Sequence, residues 1–250
     1  MLKQERRNQI LHLLREQGAV TVTQIAALFD ASEATVRRDL AALSQLGRVR
    51  KVHGGATLVS QAFMNREDAF EAKTFQNVEA KEAVARYAAA QIMDDDFVFI
   101  DAGSTTYLMT TFIDNTKARF LTNGPAHARI LAQKGCRVFV LGGELRRSTE
   151  AIAGVVAASN LQRYNFSKAF LGTNGVSEKQ GYTTPDTDEA MIKAVAIERS
   201  FVSYVLCDSS KINRVSAIGF APIDAACLIC DRCPDEGIRK KAILKEVDEA

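Results

Sequence analysis

Residues 32–40, Ser-Glu-Ala-Thr-Val-Arg-Arg-Asp-Leu, carry the strongest structural signal in this chain of 250 residues. Three apolar residues here and just beyond recur at a spacing that places them on one side of an α-helix: Val36, Leu40 and Leu43. Ser32 stands directly before this helix, where its hydroxyl group can cap the first turn. Arg37 and Arg38 fall off the apolar stripe. The stretch therefore predicts a helix that buries one side and presents arginines on another.

Elements that fit one small domain surround this helix. Residues 6–15 predict an amphipathic helix that ends near Gly18, and residues 23–29 predict a second helix that leads into a tight turn. Residues 48–56 mix basic and apolar residues and end in a glycine pair, which is typical of a two-stranded wing. This order predicts a winged helix-turn-helix, whose third helix enters the DNA major groove while the wing follows the phosphates. A three-helix interaction module with solvated arginines is the alternative.

Charge is distributed unevenly along the chain. The net charge is +2, yet residues 1–56 contain nine Lys and Arg against five Asp and Glu. A basic N-terminal part on a mildly acidic remainder is expected where one segment meets a polyanion. The predicted DNA contacts come from the turn, the third helix and the wing: Ser32, Glu33, Thr35, Arg37, Arg38, Arg48, Arg50, Lys51 and His53.

Composition excludes several classes of protein. A chain with 47% apolar and 25% charged residues is globular rather than disordered. It has no apolar run long enough for a membrane-spanning helix, and residues 1–16 mix charges with leucines instead of forming a signal peptide. We therefore expect a cytoplasmic protein with no membrane partner and with five reduced cysteines.

Residues 76–250 predict an α/β domain. Its first helix is expected at residues 79–92, and six apolar runs that alternate with helical stretches are predicted strands: 97–100, 120–122, 138–141, 169–171, 204–207 and 227–230. Near-continuous apolar strands that alternate with helices predict a mostly parallel sheet covered on both faces. A charged helix is expected from residue 235 onward, with Ile238, Ile243 and Leu244 as its apolar contacts. Residues 58–75 show no clear period and are expected to link this domain to a first domain at residues 1–57.

The segments that follow the predicted strands are polar and rich in glycine. Ligands of open α/β sheets bind beyond the carboxyl ends of the strands, so a site is expected there. Residues 101–106, Asp-Ala-Gly-Ser-Thr-Thr, offer N–H groups, hydroxyl groups and a helix N-terminus to an anion, although the same turn also fits helix capping alone. The P-loop and dinucleotide patterns are missing. Similar turns follow four more strands: 123–124, 142–147, 172–175 and 208–211. Their convergence predicts a pocket for a polyol phosphate.

Residues 32–40, together with Val-His-Gly-Gly-Ala at 52–56, resemble the winged helix-turn-helix of the DeoR family of bacterial transcription regulators. The strand-end segments resemble the effector domain of the same family: Asp-x-Gly-Ser-Thr from 101, Thr-Asn from 122, Leu-Gly-Gly-Glu-Leu-Arg from 141, Gly-Tyr-Thr-Thr-Pro from 181 and Asp-Ser-Ser-Lys from 208. The resemblance implies a DNA-binding head joined to an α/β sensor domain similar in fold to ribose-5-phosphate isomerase. Within the family, the chain is most similar to regulators of fructose or galactose/tagatose operons.

The resemblance also implies a function and a set of site residues. It implies a repressor of a sugar-utilisation operon, relieved by a phosphorylated sugar and most simply by a ketohexose phosphate. Because symmetric operators are read by symmetric proteins, a homodimer or homotetramer is expected. The effector-binding residues carried over are Asp101, Gly103, Ser104, Thr105, Thr106, Asn123, Gly143, Glu189, Asp208 and Lys211, with Lys81 and Lys193 as further candidates. Lys81 also fits a solvated lysine on a helix.

Other chemistries find less support. A phosphosugar isomerase that carries a DNA-binding head is the rival function, because the predicted pocket contains acid–base groups; the resemblance favours binding without turnover. The spacing of Cys227, Cys230 and Cys233 resembles that of an iron–sulfur site, but a fourth cysteine does not follow, and buried thiols are expected instead. No catalytic residue, metal or cofactor is predicted.

Overall fold

The computed structural model describes residues 3–45, 49–58, 63–64, 70–114 and 116–247. Internal contacts divide the chain into two units, Met1–Phe63 and Met64–Ala250. We call the first unit the head and the second the body.

The head has the winged helix-turn-helix fold that the sequence predicts. Its elements are α1 (Lys3–Gln17), β1 (Ala19–Thr21), α2 (Val22–Leu28), α3 (Glu33–Gln45), β2 (Val49–Val52) and β3 (Gly55–Leu58). The strands form an antiparallel sheet in the order β1-β3-β2. Gly54 turns the wing with a φ of +77°, a left-handed conformation that glycine adopts without a Cβ clash. The sequence does not predict β1, because three residues are too few to show a period.

Helix α3 is held to α1 by both apolar and ionic contacts. Its predicted apolar stripe is buried in the head core: Val36, Leu40 and Leu43. Asp39 is also buried, and its carboxylate accepts hydrogen bonds from Arg6 Nε at 2.6 Å and from Arg7 Nε at 3.0 Å. Two of the nine basic residues counted for the head are therefore paired inside it.

The body is the predicted α/β domain. The chain enters it through β4 (Phe63–Met64), α4 (Phe70–Thr74) and α5 (Val78–Ala89). The elements that follow are β5 (Phe97–Ile100), α6 (Ser104–Thr111), β6 (Arg119–Thr122), α7 (Pro125–Gln133), β7 (Arg137–Val140), β8 (Glu144–Leu145), β9 (Ile152–Ala153), α8 (Val155–Leu161), β10 (Phe166–Gly172), β11 (Gly175–Ser177), β12 (Gly181–Thr184), α9 (Thr187–Glu198), β13 (Ser200–Cys207), the short 3-10 helix Ser209–Lys211, β14 (Val215–Ser216), β15 (Ile218–Ala221), β16 (Cys227–Cys230), α10 (Glu236–Lys241) and β17 (Ile243–Glu246). Among the described residues, no helix has the length and apolar character needed to cross a membrane.

A seven-stranded sheet of parallel strands forms the centre of the body, in the order β17-β16-β13-β10-β5-β6-β7. All six predicted strands belong to it. Successive residues of a strand face opposite sides, so Val98 and Ile100 enter a core with α5, α6 and α7, whereas Phe99 enters a core with α8 and α9. The chain builds β5, β6 and β7 outward and then returns to place β10 beside β5. The strand order therefore reverses between β5 and β10.

Two segments differ from the sequence expectation. The charged helix expected from residue 235 ends at Lys241, and Ile243 and Leu244 belong to β17, which pairs with β16. The open edge of β16 offers backbone hydrogen bonds, so tertiary pairing overrides the local charge pattern. Part of the expected linker, residues 70–74, is helical. Residues 59–62 and 65–69 of that linker lie outside the described residues.

Candidate functional site

The turn before α3 and the first turns of this helix form the candidate DNA-binding face of the head. Ser32 Oγ accepts a hydrogen bond from the N–H of Thr35 at 3.3 Å, which is the predicted cap. The carboxylate of Glu33 accepts from Arg37 Nη2 at 2.9 Å and from Thr23 Oγ1 at 3.1 Å. Glu33 and Arg37 are both solvent-exposed. Arg37 is therefore held in place on the exposed side of α3 by a carboxylate one turn earlier.

The remaining predicted DNA contacts lie on α3 and the wing. Arg38 is exposed, and its Nε donates to a backbone carbonyl one turn earlier at 3.2 Å. Lys51 and His53 are exposed on the wing. Arg48 lies outside the described residues, as does the side chain of Arg50.

A pocket opens at the carboxyl end of the body sheet, where the strand order reverses. This is the position at which open α/β sheets bind ligands. The residues that line it are Phe70, Lys73, Lys81, Ala102, Gly103, Ser104, Thr105, Thr149, Gly172, Thr173, Asn174, Glu189, Lys193, Leu206, Cys207, Asp208 and Lys211. The fold thus brings together eight of the twelve predicted effector-binding residues: Lys81, Gly103, Ser104, Thr105, Glu189, Lys193, Asp208 and Lys211.

Four lysines surround this pocket: Lys73, Lys81, Lys193 and Lys211. Two carboxylates, Glu189 and Asp208, lie in the same lining. Burial lowers the pKa of Lys73 to about 8, against the attraction of Glu189, and the three other lysines lower it further. Burial also lowers the pKa of Lys81, against the attraction of Asp208. Because crowded, partly buried ammonium groups disfavour their own charge, an anionic ligand here would stabilise them.

Asp101 lies directly behind the lining and forms a short ion pair with Lys193. The two side chains are only 3% and 4% exposed. The Asp101 carboxylate also accepts the N–H of Gly172 at 3.1 Å, which ties the loop after β5 to the end of β10. Beside this pair, Lys81 Nζ donates to Ser104 Oγ at 3.2 Å, at the first residue of α6. The N-terminus of α6 and an ammonium group therefore meet at one end of the pocket, a combination that suits an anion.

Three predicted effector-binding residues support the loop after β5 or lie beyond it, outside the pocket lining. Thr106 Oγ1 donates to the carbonyl of Asp101 at 2.6 Å, and Asn123 Oδ1 accepts the N–H of Ala102 at 2.8 Å. Gly143 lies against α8, where a Cβ would come within 2.7 Å of a neighbouring Cβ. These residues were carried over from the family resemblance of the strand-end segments, and that resemblance does not distinguish lining from support.

His127 is a buried part of this support, and its sequence context gives no sign of that role. Its Nε2 lies 3.1 Å from the carbonyl oxygen of Gly103 and 3.2 Å from Thr106 Oγ1. Burial lowers the pKa of His127 to about 4, with Asp101 and Gly103 opposing the shift, so the ring is neutral at neutral pH. A Cβ at Gly124 would lie 2.4 Å from His127 Nδ1, so the close approach requires glycine there.

The pocket includes polar residues that the effector prediction omits. Thr173 and Asn174 come from the loop after β10, and Thr149 comes from the loop between β8 and β9. The polar turn at 172–175 could have indicated Thr173 and Asn174 from the sequence. Phe70 and Lys73 come from α4. A helix of five residues in a polar stretch has no measurable period, so no sequence pattern places them in a site.

The cysteines have the character expected of structural thiols. Cys207, Cys230 and Cys233 are buried, and the cysteines are free. Burial raises the pKa of Cys230 to about 12 and raises that of Cys207 as well. Within the described ranges, no group of three or more His, Cys, Asp or Glu residues could hold a metal ion.

Comparisons with known proteins give matches along most of the chain. A family model described as the DeoR-like helix-turn-helix domain matches residues 6–62, and one described as the DeoR C terminal sensor domain matches residues 76–232. The uncharacterized HTH-type transcriptional regulator FruR of Bacillus subtilis is 36% identical over 99% of each chain. The lactose phosphotransferase system repressor of Streptococcus mutans is 32% identical over 94% of each chain. Among solved structures, ribose 5-phosphate isomerase A of Methanocaldococcus jannaschii aligns over 55% of each chain with 17% identity and a TM-score of 0.41.

Proposed function

This chain belongs to the DeoR family of DNA-binding transcription regulators, and on that premise we propose that it represses a sugar-utilisation operon and releases its operator when a phosphorylated sugar binds. The body pocket is the observation that carries this proposal. Four lysines, the N-terminus of α6 and several hydroxyl groups converge at the ligand-binding edge of the sheet. The relatives in Bacillus subtilis and Streptococcus mutans are named as a transcriptional regulator and a repressor.

A sugar phosphate matches both kinds of group in the pocket. Its phosphate would accept charge-assisted hydrogen bonds from the lysines and from the start of α6. Its hydroxyl groups would pair with Glu189, Asp208 and Asn174, which combine acceptors and donors. We propose a phosphorylated ketohexose as the effector, with Asp101, Thr106 and Asn123 shaping the site from behind.

In the head, we propose that α3 enters the major groove and that the wing follows the phosphate backbone. The proposed contacts on α3 and its turn are Ser32, Glu33, Thr35, Arg37 and Arg38, and those on the wing are Arg48, Arg50, Lys51 and His53. A single head makes few base contacts, so a homodimer or homotetramer would present paired heads to a symmetric operator. The effector would act by binding more tightly to the arrangement that does not fit the operator.

The DNA-binding half of the proposal is tested with a genomic fragment that the wild-type protein selects. The double variant Arg37→Ala, Arg38→Ala should lose at least about tenfold in affinity, because each good contact to a base or phosphate contributes about 1–3 kcal/mol. Arg163→Ala, an exposed arginine of the body, is the matched control and should bind normally. Undiminished binding by the double variant would show that α3 does not read DNA.

The effector half is tested by thermal shift with phosphorylated hexoses and pentoses, each beside its unphosphorylated sugar. A true effector should raise the melting temperature of the body, because a ligand of the folded state stabilises it by mass action. Equal shifts from free sugars would contradict a phosphate site. The same mixtures, followed for ketose–aldose interconversion, check that the protein binds without turnover; sustained turnover would favour an isomerase instead.

A further inference from the structure

The segment Phe70–Asn77 contributes to the lining of the body pocket, and we call it the strap. It contains α4 and ends where α5 begins. Two of its side chains, Phe70 and Lys73, line the pocket. We propose that the strap, through Lys73, closes on the phosphate of the effector and carries pocket occupancy toward the head. This inference rests on the proposed function and adds the residue and the segment through which it works.

The strap is fastened at its two ends. At its start, the N–H of Phe70 donates to the carbonyl of Ser148 at 3.1 Å, and the Phe70 ring meets the Tyr107 ring edge-on with centroids 5.5 Å apart. At its end, Asn77 Nδ2 donates to Asp208 Oδ1 at 2.9 Å. Asp208 itself lines the pocket. The strap therefore joins two loops that both contribute to the pocket lining, the loop between β8 and β9 and the loop after β13.

Between these ends the strap has little apolar anchorage. Helix α4 has no buried residue, and Phe75 is 82% exposed. Segments with few buried apolar contacts open at low free energy and are the ones that ligands order. A polar contact holds the middle of the strap: Lys81 Nζ donates to the carbonyl of Lys73. The strap is thus tied to the lysine cluster itself.

Lys73 has the electrostatic setting of a residue that responds to an anion. Its ammonium group faces Glu189, Lys211, Lys193 and Lys81. Glu189 attracts it and the three lysines repel it, and burial disfavours its charged form. A phosphate monoester placed among these lysines adds a second attraction and so holds the strap more tightly on the pocket. The ligand class is a phosphate dianion, since a neutral sugar adds no attraction of this kind.

Chain connectivity gives this closure a route to the head. The head ends at Phe63, and the strap begins seven residues later at Phe70. The strand β4, which pairs with β14, lies between them, so the strap is the next element after the strand through which the chain enters the body. An effector that binds the strap-closed state more tightly shifts the population toward it, which is the requirement for coupling between two sites.

Hydrogen exchange on the full-length protein, with and without saturating inorganic phosphate, tests the strap directly and needs neither DNA nor the natural effector. Phosphate should slow exchange of the strap amides in wild type and in Lys73→Arg, which keeps the charge. It should not do so in Lys73→Gln, whose affinity for phosphate should fall about tenfold through loss of one charged hydrogen bond. Lys240→Gln, an exposed helical lysine of α10, is the matched control and should behave as wild type. The proposal is overturned if phosphate does not slow exchange of the strap amides in wild type, or if it slows exchange equally in Lys73→Gln. Either result holds whether or not the protein binds DNA.

Operator release separates coupling from binding. With fructose 1-phosphate, fructose 6-phosphate or tagatose 6-phosphate at saturation, the operator Kd of wild type should rise about tenfold or more, whereas that of Lys73→Gln should stay within about twofold. Lys211→Gln removes a pocket lysine outside the strap, so it should need more sugar phosphate but still release the operator fully. Full release by Lys73→Gln would refute the coupling role. If phosphate protects the strap of the wild-type protein but the protein selects no operator, the proposed repressor function is refuted and the phosphate contact of Lys73 stands.

Discussion

The head and the body each bury a carboxylate, and they use it differently. In the head, Asp39 pairs with Arg6 and Arg7, whose side chains are 14% and 16% exposed. In the body, Asp101 pairs with Lys193, and both are almost fully enclosed. The head cluster fastens α1 to α3 on the side away from its exposed arginines. The body pair stands at the wall of a pocket, beside further lysines.

Under the proposed function, the two regions would bind phosphate in opposite ways. The head keeps its exposed cations in water and pairs those of its interior, so DNA binding would depend on long-range charge and on counterion release. The body keeps its cations partly out of water, where charge is costly without a partner. The proposed ligand would be selected because it adds an anion to this crowded set of ammonium groups. The first arrangement suits a long polyanion of many sequences, and the second suits one small anion.

The largest loss of stability is expected in the body, from Lys193→Met. Asp101 would keep the N–H of Gly172 as a donor but lose its only ion-pair partner among the described residues, inside the wall of the pocket. Removing one member of a buried pair costs about 3–5 kcal/mol. The free energy of unfolding of the body, measured by denaturant titration, should fall by about this amount.

The double variant Asp101→Asn, Lys193→Met is the control for this prediction. It removes both charges, so it should recover most of the lost stability. If Lys193→Met alone is as stable as wild type, the buried charge of Asp101 does not need Lys193 as its partner. The contrast with the head would then disappear.

The next effect is expected in the head, from Asp39→Asn. The change keeps the shape of the side chain but leaves two guanidinium groups without their carboxylate. Because Arg6 and Arg7 reach solvent at 14% and 16% exposure, water can compensate in part, and we expect a loss of about 2 kcal/mol rather than the full cost of an enclosed pair. Thermal unfolding of the head should shift downward while sugar-phosphate binding by the body stays unchanged. A loss as large as that of Lys193→Met would show that the head cluster is equally enclosed.

Sequence patterns predict the parts of this molecule that repeat or alternate. The stripe of α3 and the six apolar strands follow from period and composition, and the strand ends then locate the pocket, because parallel strands end at one edge. The pattern fails where a contact is made across the fold. Nothing near Asp39 indicates that it is buried, since Arg6 and Arg7 lie 33 and 32 positions away. Nothing near Phe70 or Lys73 places them in the pocket lining, since Phe70 bonds to Ser148 and Lys73 faces Glu189, both far along the chain.

Contacts across the fold also explain why the sequence does not distinguish residues that line the pocket from residues that support it. Gly103 and Thr106 stand three positions apart in one polar turn, yet Gly103 lines the pocket and Thr106 bonds backward to the carbonyl of Asp101. Helix α6 begins at Ser104, and its geometry sets which way the residues of this turn face. Residue type after a strand predicts where a site lies, and helix geometry decides which residues face it.

The smallest effect, and the one that separates the two arginines of α3, is in the salt dependence of operator binding. The charge of Arg37 is already offset by Glu33 at 2.9 Å, whereas Arg38 is bonded through Nε to a backbone carbonyl. Arg38→Gln should therefore reduce the slope of log affinity against log salt by about 0.9, the value for one phosphate contact, and Arg37→Gln should reduce it by less. Fluorescence anisotropy at several salt concentrations measures both slopes, with Arg163→Gln on the body as control.

Sugar-phosphate affinity, measured over the same salt range, should change little, because buried charges are weakly screened. If it falls as steeply as operator affinity, the pocket is open to bulk ions and both regions bind phosphate in the same way.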